Sequence, residues 1–217
     1  MTSHRRELRA ARRADVSGSG PTLDEGPPAR FPGAAGAFAL FGEVLLTGLL
    51  IVGGGLALVT LPAALAAGIR HLRRYLDAEA SHARTFWADY RRALPGGLAV
   101  GAVALAAALV LALDIDLANS GALPGGPVVG VIGWAGLVAV AVALLAGSAA
   151  WTPERGWRAA VRSIPATLGA DVTGALYLAA TAVFVGVATW MLVPVLIPAL
   201  GCAALAAVAI PARRRRR

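Results

Sequence analysis

Four carboxylates lie within or beside apolar stretches of this chain: Glu43, Asp114, Asp116 and Asp171. A charge at bilayer depth costs about 2.5–3.5 kcal/mol on insertion scales and needs a cation, water or a proton. Glu43 follows the start of the first apolar run at Ala37 by six residues. It reads either as an intramembrane ion, proton or helix-docking site, or as a headgroup-level residue of a span that starts later. Pro32, Gly33 and Gly36 just upstream favour the second reading. Asp171 opens a later apolar segment, where the helix dipole favours a carboxylate, so capping or an interfacial role is expected. Asp114 and Asp116 flank the outer end of a span, and two acids alone make a weak cation site. His71 and His82 sit in an arginine-rich stretch with no third ligand at suitable spacing, which argues against zinc. Cys202 is the single cysteine, so no internal disulfide forms; its apolar surroundings predict a small core residue. There is no phosphate-binding glycine loop, no nucleophile elbow, no His-Glu-x-x-His and no nucleophile–base pair. The expectation is a non-enzyme with no catalytic residue, no metal and no cofactor.

Cations show a sharper pattern. All 20 basic residues are arginine, and the net charge is +8. With Ala, Gly and Pro also abundant, the missing lysines read as codon bias. Outside the N-terminal segment the arginines cluster at the edges of apolar runs, at 70–74, 84–92, 155–162 and 213–217. That placement fits topology signals and contact with anionic lipid headgroups, not nucleic acid, since no aromatic stripe for base stacking accompanies it. Two of these regions resemble each other. Trp87, Arg92, Pro95 and Leu98 have the order and spacing of Trp157, Arg162, Pro165 and Leu168. The match suggests a weak parallel internal repeat. In each copy the arginine lies five residues past the tryptophan, about 140° around a helix. Trp87 and Trp157 are therefore expected at headgroup depth, with Arg91, Arg92 and Arg162 turned toward phosphate or a partner. Proline then resets the chain as each span begins.

Apolar length must position these groups. Hydrophobic residues make up 58% of the 217 and charged residues only 15%, far from the roughly 25% charged of a soluble domain. One span takes about 20 residues. The runs 94–118 and 126–150 suit one span each, whereas 166–211 divides at Trp190, Pro194 and Pro198. The run 37–69 holds Gly53, Gly54, Gly55 and then Pro62, and reads as a kinked span or a hairpin turning at the glycines. Arginine-rich loops belong inside; 114–125 carries two acids and no arginine and belongs outside. The N-terminal segment, with six arginines against four acids, also prefers the inside, which selects the hairpin.

The predicted fold is all-α, a polytopic transmembrane helical bundle of about five to six apolar segments. They cover about 37–52, 56–76, 95–115, 126–150, 168–190 and 193–210. Residues 1–36, rich in Arg, Pro and Gly, are expected to be a disordered tail, and 212–217 an arginine-rich cytoplasmic tail following the 37–211 domain. Localisation is expected in the cell membrane with both termini cytoplasmic. Gly97/Gly101 and Gly126/Gly130 have the spacing for close helix packing, within a chain or in a homo-oligomer.

The stretch Leu58-Val-Thr60-Leu-Pro62 through Arg70-His-Leu-Arg-Arg-Tyr75, followed by Thr85-Phe-Trp87-Ala-Asp-Tyr-Arg-Arg92, resembles the YesL family of bacterial integral membrane proteins of unknown function. The layout agrees over roughly 38–210, and the specific part is 58–92. The Thr-to-Pro spacing is one residue shorter than in the family, and the family's asparagine in the first span is missing. The resemblance implies an accessory or regulatory component of a transport system, of the kind associated with carbohydrate uptake, partnered by a membrane protein such as a transporter. A small solute transporter is the alternative, and it would draw on Glu43 and the glycine-broken first run.

Overall fold

A computed structural model describes residues 36–121 and 124–213. The expectations for the N-terminal tail and for 214–217 lie outside the described residues. Among the described residues seven α-helices follow one another: α1 Ala37–Gly55, α2 Leu61–Leu76, α3 Ala83–Asn119, α4 Gly126–Ala150, α5 Gly156–Ala170, α6 Val172–Met191 and α7 Leu196–Arg213. Single 3₁₀ turns, Leu58–Thr60 and Val193–Val195, precede α2 and α7. The described residues contain no strand. Among the described residues five segments are long and apolar enough to cross a membrane: α1, α3, α4, α6, and α7 with its preceding turn. The chain is an all-α bundle with the build of a multi-pass membrane protein.

The first apolar run is broken where glycine and proline weaken a helix. α1 ends at Gly55, and the chain reverses through Leu56–Thr60 before Pro62 enters the first turn of α2. Proline is well suited there because its missing N–H would be unpaired anyway. The Thr60 hydroxyl lies 2.7 Å from the carbonyls of both Gly54 and Ala57, which share its proton and close the reversal. α2 has 16 residues, or about 24 Å, and is shorter than the roughly 30 Å hydrocarbon core. It is therefore not one of the five span-length helices. Its alanines, Ala63, Ala64, Ala66 and Ala67, are fully buried, and α1, α3, α4 and α7 all pack on it. Small side chains let four helices approach one axis, so the core is built around α2.

Proline does not reset the chain before the spans. α3 runs unbroken through Pro95 for 37 residues, about 55 Å, instead of starting at 95. α5 likewise contains Pro165. A proline removes one backbone bond and crowds the preceding turn, a cost of about 3 kcal/mol that packing on both sides outweighs here. The first third of α3 is thus a rigid extension of the span and not a separate surface segment. The break expected near 168 falls at Asp171, whose non-helical backbone (φ −137°, ψ 75°) separates α5 from α6.

α1 crosses α7 at two glycines. A methyl group on Gly48 would overlap the Ile197 carbonyl, and one on Gly201 would overlap the Val44 carbonyl. The pairing 44 with 201 and 48 with 197 makes the crossing antiparallel. The glycines singled out from sequence act within the chain: Gly97 lies against Ala63, Gly101 against the Val59 carbonyl and Gly126 against the Ala118 carbonyl.

Candidate functional site

Two charged side chains on α2, Arg70 and Arg74, are four residues apart and so share one helix face. They meet Asp89 on the extension of α3. Arg70 Nε stands 3.1 Å from Asp89 Oδ2, and Arg74 Nη2 pairs with the same oxygen. The Asp89 side chain is 3% exposed. The Arg70 guanidinium also lies over the Trp151 ring, 5.9 Å from its centroid, within cation–π range. Arg73 Nη2 donates to the Ala149 carbonyl at 3.5 Å. Three arginines read from sequence as topology and lipid signals are therefore engaged inside the protein, joining α2 to α3 and α4.

The residue after Arg70 carries a second pair, on another face of α2. His71 Nε2 is 2.7 Å from Glu43 Oε1, which ties α2 to α1. His71 is fully buried and its ring stands edge-on to Phe86. Ser81 Oγ donates to Glu43 Oε1 at 3.4 Å. Glu43 is half-buried at a helix–helix junction, where it docks α1 on α2. His71 lies within α2 and not in a loop. His71 Nδ1 and Thr47 Oγ1 are buried without a hydrogen-bond partner among the described residues. Tyr90 completes the cluster by donating its hydroxyl to the Gly54 carbonyl at 2.8 Å, which fastens α3 to the end of α1.

Asp171 is the third engaged carboxylate. Its Oδ1 accepts from the Gly174 amide at 2.9 Å, an N-terminal cap on α6, and Arg213 Nη2 approaches at 3.3 Å. The Arg213 guanidinium sits 4.8 Å from the Tyr177 ring centroid. α6 and α7 are thereby pinned at one end.

The two Trp–Arg–Pro segments part company. Trp157 is buried, and its Nε1 donates to the Ala93 carbonyl at 2.7 Å. A methyl on Gly96 would come within 2.6 Å of Trp157 Cδ1, so the ring seats on α3 only because residue 96 is glycine. Trp157 is a core residue beside Trp151, not a headgroup anchor. Trp87 is 39% exposed, while its neighbour Phe86 takes the buried place. Arg91, Arg92 and Arg162 are exposed, as are Arg84, Arg155 and Arg158. Arg70 and Arg92 both act on Glu154 in the α4–α5 turn. The Glu154 carboxyl is held below its usual range first by its own backbone amide, then by the Thr152 hydroxyl and these two guanidiniums.

Asp114 and Asp116 are two residues apart on α3 and project to different faces, so they do not form one site. Among the described residues no three of His, Cys, Asp and Glu gather as a metal site. Cys202 is exposed, contrary to its expected place in the core. α7 buries Ala199, Leu200, Ala203, Ala204 and Ala207, and position 202 falls on the opposite face.

In the sequence Asp89 is one of three acids among the six arginines of 70–92, and nothing local marks it as their partner. The available signal was Arg70-x-x-x-Arg74 on a helix face with a lone acid in the next amphipathic helix. Compared with known proteins, the chain matches no family model, no curated protein and no solved structure.

Proposed function

We propose that this protein is a non-enzymatic accessory or regulatory component of a membrane transport assembly, residing in a bacterial cell membrane with both termini cytoplasmic. One observation carries the reading: Glu43, Asp89 and Asp171 each face a basic side chain of a neighbouring helix. These carboxylates are occupied in joining helices, and exposed arginines, Arg92 and Arg162 among them, are the charges presented to another molecule. The resemblance of 58–92 to the YesL family supports the same reading, including the association with carbohydrate uptake. A solute transporter is the second reading, and its support is the unpartnered Thr47 Oγ1 and His71 Nδ1 beside Glu43.

Co-purification of the tagged chain from native membranes separates the two. A stable membrane-protein partner that is lost on combined charge reversal, R92E with R162E, while the protein stays inserted and folded, supports the accessory reading. A lone protein that moves solute in liposomes, with flux abolished by E43Q at unchanged abundance, replaces it with the transporter.

A further inference from the structure

Between α3, α4 and α5 runs an open apolar groove of about 400 Å³. Ala99, Val103 and Ala107 of α3 form one wall, Val140 and Leu144 of α4 the other, and Val161 of α5 flanks it. Its lining is almost wholly carbon and includes Trp157, where α5 begins. From Ala99 to Ala107 the wall rises about 12 Å, nearly the depth of one leaflet of a 30 Å core.

What stands above the groove is not apolar. Helical spacing extends the stripe of Ala99, Val103 and Ala107 upward through Gly96 to Arg92, which therefore lies on the groove face of α3. Gly96 seats against Trp157, the second residue of α5, so Arg92, one helical turn before Gly96, stands beside the start of α5. Arg158 is one helical turn before Val161 on α5 and shares its face, and Arg155 precedes that helix; all three arginines are exposed. Against them stands one carboxylate, Glu154. The turns of α3 and α5 adjoining the slot that fits hydrocarbon are thus net positive.

We propose that this groove is a binding site for one anionic diacyl phospholipid. An acyl chain lies between α3 and α4 against Trp157, and the phosphate rests on Arg92 and Arg158. The site requires only that α3 and α4 span a bilayer and is independent of the transport assignment. Each arginine near an anionic headgroup favours it by about fivefold, so two give up to roughly 25-fold selection over a zwitterionic lipid.

Trp157 reports on the site directly. A variant with Trp157 as the only tryptophan (W87F, W134F, W151F, W190F) is reconstituted in vesicles of brominated phosphatidylglycerol or brominated phosphatidylcholine mixed with unbrominated lipid. Fluorescence quenching is expected at several-fold lower mole fraction of the brominated phosphatidylglycerol. R92Q with R158Q should remove that difference, and A104F, which fills the groove from Ala104 on its α3 wall, should remove quenching by both. Inorganic phosphate should change nothing. If the single-tryptophan variant does not fold, mass spectrometry of the unmodified protein released from mixed-lipid nanodiscs reads the same preference as retained phosphatidylglycerol. Equal quenching or retention of the two lipids, no quenching by either, a preference that survives R92Q/R158Q, or displacement by phosphate overturns the proposal.

Discussion

Replacing Asp89 by asparagine should be the most damaging single isosteric change in the bundle. The carboxylate is 3% exposed and answers two guanidiniums at once, Arg70 and Arg74, whose side chains are 24% and 20% exposed. Removing one member of a fully buried pair costs about 3–5 kcal/mol, because the remaining charge is left uncompensated. Here the arginines keep some access to water, so the low end applies, about 3 kcal/mol. For a chain of this size each kcal/mol moves the unfolding midpoint by about 2–4 °C, which gives a fall of roughly 6–12 °C. The assay is thermal unfolding of the detergent-solubilised protein, followed by near-ultraviolet circular dichroism. D116N is the control: Asp116 is exposed, and its loss should stay within about 0.5 kcal/mol. Coupling is tested by a double-mutant cycle with R74Q, where D89N should cost markedly less because one of the charges it strands is already gone. A D89N midpoint indistinguishable from that of D116N would refute the claim that this cluster holds α2 to α3. Additive D89N and R74Q effects would show that the two side chains do not act as a pair.

Two further outcomes follow from the packing. G201V should abolish the α1–α7 crossing, since a side chain there meets the Val44 backbone carbonyl, not a movable side chain; loss of a monodisperse peak in size-exclusion chromatography is expected, while G53A, with open space around it, should elute as the wild type. W157F should cost about 2 kcal/mol through the lost indole bond to the Ala93 carbonyl and lost ring volume, whereas W87F should cost under about 0.5 kcal/mol; equal midpoints for the two variants would restore the equivalence of the repeated segments.

Much of the architecture is legible in local sequence because hydropathy is a sum along the chain. Runs of about 20 apolar residues can satisfy their backbone in a bilayer only as helices, so α4, α6 and α7 lie close to where composition places them. The break after Gly53-Gly54-Gly55 and the capping place of Asp171 are also local, the first from glycine and proline chemistry and the second from the free amides of a helix start. Pro95 misled for the converse reason: its local penalty is real, but packing of α3 on α2 and α5 outweighs it.

The candidate site itself belongs to tertiary structure. Arg70 and Arg74, four residues apart at the end of a helix, look the same in sequence whether they meet lipid phosphate or a buried aspartate 19 and 15 residues further on. Trp87 and Trp157 share flanking residues at matched spacing, yet one is half-exposed and the other donates a buried hydrogen bond to the Ala93 carbonyl, across a gap that only Gly96 leaves open. Periodicity along one helix says which residues share a face. Whether that face meets lipid, water or another helix depends on chain segments distant in sequence, and burying a charge or an indole N–H is affordable only where such a segment supplies the partner atom.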